Sequence, residues 1–381
     1  MPVPLGRGPL SRLARDAGSY AHAGAARIGP AVRPLRIWLV GFGVVGQWLA
    51  GALDAQADRL AERYGRRVTV VGIGNARDGF AYRAAGFDLR SALAAAAGGR
   101  PVSGLPEAQA WPSAIDGLRA TEADLLVEVT ASPSADGEPG LTHMREALSR
   151  AIPVVTSNKW PVALHGVELA DLARRQGVAF RAESTVMSGT PVLSTLTDGL
   201  AGTEPSALRG VLNATANFIL SQMADGTSYA AALANAQRAG LAERDPAADV
   251  EGHDSAAKVM ILSALVFGRQ LSREQVDCQG ITGLTGEEVH RAALAGRRFR
   301  HVATLAFPGT GTTGTVTARV RPEAVPAGDP LASIEGVNNA LICRASPLGE
   351  VTIVGPGAGP LLAGQGVLSD IIAVTTRLPS P

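Results

Sequence analysis

Of the chain's 35 basic residues, two are lysine, Lys159 and Lys258, and the rest are arginine. Arginine serves wherever a surface cation is enough, so the lysines mark positions that require an ammonium group. An ammonium is a compact charge whose pKa moves on burial and which can give and take a proton; a guanidinium stays protonated. Lys258 stands four residues after Asp254 in Glu251-Gly252-His253-Asp254-Ser255-Ala256-Ala257-Lys258. On a helix that spacing puts the two on one face, acid before base. As a solvated surface pair they would contribute only about 0.3–0.5 kcal/mol. Lys258, however, leads into Val259-Met260-Ile261-Leu262, and the approach carries Glu243, Asp245, Asp249 and Glu251. Such acids suit the α-ammonium group of an amino acid, and the pair among them suits proton transfer.

A second chemistry-bearing segment is Gly41-Phe42-Gly43-Val44-Val45-Gly46. It follows the apolar run Leu35–Val40 and precedes a helical pattern through Leu49, Leu53 and Leu60, with a second strand predicted over Val68–Ile73. In a strand–turn–helix–strand unit the first glycine permits the turn, the second admits a pyrophosphate, and the third lets helix and strand pack closely. The phosphates would rest on free N–H groups at the helix start. The second strand runs into Gly74-Asn75-Ala76-Arg77, with no carboxylate before Asp78. A neutral Asn75 with a nearby Arg77 suits the 2′-phosphate of NADP better than the free hydroxyl of NAD.

The elements that position these residues alternate. Further parallel strands are predicted at Asp124–Val129 and Ile152–Thr156, with a helix from Leu141 to Ala151 between them, a doubly wound pattern. Beyond Val178 strand-like runs mix with long helical ones at Tyr229–Ala239 and Asp254–Phe267, and a Gly/Thr-rich β-like stretch covers His301–Val320. The expected fold is α/β: a Rossmann-type doubly wound parallel sheet plus a mixed α+β substrate and dimerisation domain. The expected divisions are an extension over 1–34, a nucleotide-binding domain over 35–170 and a second domain over 171–350. A C-terminal segment, 351–381, returns to the first domain.

Composition narrows the classes. A 46% apolar fraction over 381 residues gives a globular chain with a sizeable core. Six arginines and one aspartate fall in the first 36 residues, so the net charge of +1 conceals a mildly acidic body with no basic stripe for nucleic acid. The two cysteines, Cys278 and Cys343, lack CxxC spacing and read as reduced thiols in a cytoplasmic protein. No apolar run is long enough to span a bilayer. The Arg-rich first 35 residues resemble a transit peptide in composition; an extension outside the fold or an upstream start codon explains them equally.

Longer motifs carry a resemblance. Gly240-Leu241-Ala242-Glu243-Arg244-Asp245-Pro246 followed by Asp249 to Lys258 resembles the signature of the homoserine dehydrogenase family. Asn158-Lys159 with Pro161 and Ala163, Glu183 to Val186 ahead of Gly189-Thr190-Pro191, Leu212 to Leu220, and Gly355-Pro356-Gly357-Ala358-Gly359 are similar too. The likeness spans roughly residues 36–381. It implies NADP-preferring (NAD possible) interconversion of L-aspartate 4-semialdehyde and L-homoserine, in threonine, methionine and isoleucine biosynthesis. It makes Lys258 the proton-transferring residue, supported by Asp254, and sets Lys159 where cofactor meets substrate. Glu243, Asp249 and Asp254 would hold homoserine, and Thr130 and Gly357 would join the cofactor site. Glu183 with the carbonyls of Val186, Ser188 and Thr190 corresponds to a sodium site, and the His301–Val320 stretch lies where the family pairs subunits into a homodimer. The segment Asn213-Ala214-Thr215-Ala216-Asn217-Phe218 departs from the family's Asn-Gly-Thr-Thr-Asn-Tyr, losing hydroxyls at Ala216 and Phe218. That leaves two other readings open: a reductase of another small amino-acid semialdehyde, and a non-catalytic NADP-binding protein.

Overall fold

A computed structural model describes residues 33–133, 135–307 and 316–377. Most of the expected N-terminal extension, and the middle of the His301–Val320 stretch, lie outside the described residues.

Thirteen strands among the described residues form two sheets. The first sheet contains β1 (Leu35–Val40), β2 (Val68–Asn75), β3 (Gly79–Tyr82), β4 (Gln109–Trp111), β5 (Leu125–Glu128), β6 (Val154–Thr156) and β7 (Phe180–Arg181). Their order is β4-β3-β2-β1-β5-β6-β7. The five strands from β2 to β7 run parallel, while β3 and β4 add an antiparallel edge. The sequence reading foresaw β1, β2, β5 and β6 but not this edge, and it assigned β7 to the second domain, beyond residue 170, whereas β7 pairs with β6 in this sheet. Four- and three-residue strands without a long apolar run leave little periodicity to find. β1, apolar apart from Arg36, which pairs with Asp124, is buried on both faces because helices cover both sides. The helix Val44–Ala55 buries Gly46, Leu49, Ala50 and Leu53, a stripe at helical spacing, against it.

The second sheet contains β8 (Glu204–Val211), β9 (Val276–Cys278), β10 (Arg297–Ala306), β11 (Thr317–Pro326), β12 (Asn338–Ser346) and β13 (Gly349–Pro356), in the order β13-β12-β8-β10-β11-β9. It is antiparallel except where β9 joins β11. Leu208, Ala303, Leu305, Ala318, Val320, Leu341 and Cys343 form one face of it and pack with Val259, Met260, Ile261 and Leu262 of the helix His253–Phe267 in a single core. The helix Lys159–Gln176 contributes Val162 and Ala163 to the same core. A helix covered this completely buries its polar residues as well, which is how Lys258 comes to lie inside. The final helix, Pro360–Arg377, crosses back to the first sheet, where Val367, Leu368, Ile371 and Val374 complete the core around β1.

Candidate active site

A cleft of about 550 Å3 opens where the two sheets' loops meet, lined among others by Lys159, Asn213, Glu243, Asp249, Asp254, Lys258 and Gly357. Each wall is the end of an element. Lys159 opens the helix that follows β6. Asn213 is the N-cap of the helix Ala214–Ala224, its side-chain oxygen accepting from Ala216 N. Asp254 and Lys258 lie one turn apart on the helix His253–Phe267. That helix starts at Gly252, with φ +86°, where a Cβ would stand 2.8 Å from Cys278 Sγ and 2.9 Å from the His301 ring. Only glycine lets this helix begin so close to β9 and β10.

The polar groups form a connected chain. Asp254 Oδ2 lies 2.8 Å from Lys258 Nζ, and its Oδ1 accepts from Lys159 Nζ. The amide nitrogen of Asn213 donates to Asp249 Oδ1 at 2.7 Å and to Asp254 Oδ2 at 3.0 Å. Lys258 also donates to the Leu212 carbonyl. The two lysines, far apart in sequence, thus share one carboxylate. Burial pushes the Lys258 ammonium below the usual lysine value; Asp254 opposes this and Lys159 adds to it. For Asp254 burial works upward, yet the two ammonium groups outweigh it and hold the carboxyl well below the carboxylate range. Asp249 moves the other way, raised by burial and by the charge of Asp254 against the hydrogen bond from Asn213. A Lys258 whose pKa is lowered beside a fixed anion gives up its proton more readily than an ordinary lysine.

Glu243 is exposed on the rim of the cleft and Asp245 lies beside it. Ala216 and Phe218 pack into a helical cluster with Ile219, Leu220 and Met223, so these two sequence departures change packing, while Ala214 and Thr215 reach the cleft.

The glycine turn has the shape a dinucleotide needs. A Cβ on Gly41 would lie 2.6 Å from the Val129 carbonyl carbon and 2.7 Å from Thr130 N, and one on Gly46 would lie 2.0 Å from the Gly41 carbonyl oxygen. Around Gly43 nothing comes within 4 Å, leaving open the side where Val44 and Val45 start the helix. This cradle fits a pyrophosphate on backbone N–H groups. At the end of β2, Asn75 Oδ1 caps the N–H groups of Arg77 and Asp78, both at 2.9 Å, and its amide nitrogen holds Asp78 Oδ2 at 2.9 Å. A carboxylate is therefore folded back to the strand end, beside an exposed Arg77. No pattern of residue types announces that clasp.

Thr130 follows β5 and donates to the buried Glu128. Glu128 escaped sequence reasoning altogether; the available signal was a lone acid closing the apolar run Leu125-Leu126-Val127. Gly357 packs on the side chain of buried Asn339. Of the residues matched to a sodium site, Glu183 accepts from the backbone N–H groups of Val192 and Leu193 at 2.7 Å and Ser194 at 2.8 Å, Thr190 O accepts from Val192 N, and Val186 and Ser188 line the cleft.

A glycine-turn dinucleotide cradle facing a cleft with an acidic lysine defines an oxidoreductase built on a nicotinamide-binding domain. Residues 41–183 match the family model for the homoserine dehydrogenase NAD binding domain, and residues 191–372 match that for homoserine dehydrogenase. The NAD(+)-dependent homoserine dehydrogenase of Pseudomonas canavaninivorans is 36% identical over 341 residues, 89% of this chain and 96% of that protein. The homoserine dehydrogenase of Methanocaldococcus jannaschii is 34% identical over 89% of this chain and 98% of its own length. A putative homoserine dehydrogenase structure from Archaeoglobus fulgidus superposes with a TM-score of 0.78 at 32% identity, over 90% of this chain and 99% of that one. A hyperthermophilic archaeal homoserine dehydrogenase in complex with NADPH does so with 0.76 at 30%, over 91% and 99%. The chain belongs to the homoserine dehydrogenase family.

Proposed function

We infer that the protein interconverts L-aspartate 4-semialdehyde and L-homoserine, the step that feeds threonine, methionine and isoleucine synthesis, with Lys258 as the proton-transferring group. The observation that carries this is the Lys159–Asp254–Lys258 chain at the cleft, one carboxylate shared by the only two lysines. The bound nicotinamide supplies or accepts the hydride at the substrate's C4. Lys258 gives the C4 oxygen a proton in reduction and takes it back in oxidation. Asp254 keeps Lys258 charged until that transfer, and Lys159 stands between the cofactor side and the substrate. Glu243 and Asp249 hold the α-ammonium group, with Asn213 fixing Asp249. A panel of small amino-acid semialdehydes tests the substrate: turnover of another at a higher kcat/KM would move the assignment to it, and NADP binding without turnover of any would leave a non-catalytic protein.

Gly41 to Gly46, with Asn75, Arg77, Thr130, Lys159 and Gly357, would hold the cofactor. NADP is the preferred form on this reading because Arg77 offers the 2′-phosphate a charge-assisted bond of about 1.5–3 kcal/mol, worth tenfold or more in kcat/KM. The clasp between Asn75 and Asp78 supports a second reading, NAD use, since a carboxylate there repels the phosphate and accepts from a ribose hydroxyl. Arg77→Ala should weaken NADP selectively, and Asp78→Asn should raise the NADP/NAD ratio of kcat/KM. A ratio unmoved by both would place the ribose elsewhere.

A sodium ion at Glu183 with the carbonyls of Val186, Ser188 and Thr190 belongs to the same resemblance. Three amides already occupy most of the Glu183 carboxylate, and Thr190 O has its own donor. The set therefore fits a cation poorly, and no step runs through one. Turnover that drops when sodium is exchanged for tetramethylammonium would restore the site. Cys278 and Cys343 are free thiols, which supports a reducing, cytoplasmic setting; fractionation of the source cell tests it.

A further inference from the structure

Glu128 is wholly buried at the end of β5, the point where the strand order reverses. It pairs in register with Val40, the residue before the glycine turn, and with Thr156 at the end of β6. Open parallel sheets bind their ligands in this crevice. Both carboxylate oxygens face donors. Oε2 accepts from Asn158 Nδ2 at 3.0 Å, and Oε1 accepts from the Thr130 hydroxyl and from Thr130 N at 3.4 Å. Asn158, which stands immediately before Lys159, also donates to Thr130 Oγ1 at 3.1 Å and Ser132 Oγ at 2.7 Å. Among the described residues the one basic group within salt-bridge reach is His143, its Nδ1 3.5 Å from Oε1. Among the described residues no lysine or arginine pairs with this acid, and the proton transfer assigned above does not use it.

We propose that Glu128 sets the oxidation-state preference of the dinucleotide site, its buried charge favouring the cationic oxidised nicotinamide over the neutral reduced one. The inference rests on the reading that the nicotinamide lies over Thr130. A fixed charge in a low-dielectric crevice acts over several ångströms. Asn158 and Thr130, both hydrogen-bonded to it, fix the carboxylate at the end of β5 rather than letting it turn to solvent. Glu128 acts on the cofactor through space and through these two side chains, as a positioning residue that exchanges no proton with substrate.

The test is the dissociation constants of NADP+ and NADPH for the full chain, read by protein and nucleotide fluorescence without turnover. Glu128→Gln should weaken NADP+ about tenfold while changing NADPH less than twofold. Ser132→Asp, at a half-buried neighbour, adds a second carboxylate and should move the ratio the opposite way, which keeps a test in hand if Glu128→Gln does not fold. Equal weakening of both forms, or an unmoved ratio in whichever variant folds, overturns the inference. A parent that prefers NAD is read in the same way on NAD+ and NADH; if it binds neither pair, the cofactor reading itself fails and this inference falls with it.

Discussion

A single carboxylate, Asp254, holds two ammonium groups, and the balance around Lys258 is what a proton-transferring lysine requires. Burial and the Lys159 charge lower its pKa, and Asp254 restrains the fall. In semialdehyde reduction Lys258 must start protonated, so the reduction rate should fall as pH rises through this lowered pKa, below the range of an ordinary lysine. Oxidation, which needs the free amine, should rise over the same interval. Asp254→Asn removes the restraining charge, so the alkaline limb of the reduction profile should move to lower pH, together with a loss of kcat. A limb that stays in place in rate–pH profiles of the two proteins would mean that another group titrates there. The scarcity of lysine made both residues legible in the sequence. Their meeting at one carboxylate was not, because Lys159 and Asp254 are joined by tertiary packing across 95 positions. The clasp of Asn75 on Asp78 was equally hidden, since it depends on a turn that only the backbone defines.

The elements that carry the site were legible where the apolar pattern was long. β1, β2, β5 and β6 and the helix His253–Phe267 stand where their runs predicted. The helix Lys159–Gln176 was missed, because Trp160-Pro161 at its start and a mean composition near neutral hide its stripe; proline is tolerated there in the first turn. Gly252 shows how an element's start controls chemistry. Gly252→Ala would force a left-handed backbone, costing about 1–2 kcal/mol, and would press on Cys278 and His301, costing about 1–3 kcal/mol more. A melting temperature several degrees lower, with activity reduced because Asp254 and Lys258 ride on the displaced helix, is the expected result of thermal unfolding and assay together. An unchanged melting temperature would show that the helix start can relax.

Across the whole molecule, the second sheet has one face buried against the helix His253–Phe267. On the other side Val211, Val302, Ala340 and Ile342 are buried in a smaller cluster with Leu331 and Ile334, and Arg209, Thr304, Arg319 and Arg344 beside them are half-buried or exposed. β10 and β11, the described parts of the stretch matched to subunit pairing, supply Thr304 and Arg319. A homodimer formed through this face is our reading of it, and light scattering at micromolar concentration should give twice the chain's 39.0 kDa; a monomer would contradict it. The account as a whole stands on Lys258 acting in a homoserine dehydrogenase reaction. The most direct measurement follows NADPH and NADH oxidation with L-aspartate 4-semialdehyde, and homoserine formed, for the parent, Lys258→Ala and Lys258→Arg. The account predicts homoserine from the parent and a loss of about 10²–10⁴-fold in kcat in both variants, with cofactor binding nearly intact, because guanidinium cannot pass the proton. No homoserine from the folded parent, or near-parental turnover in the arginine variant, would contradict it.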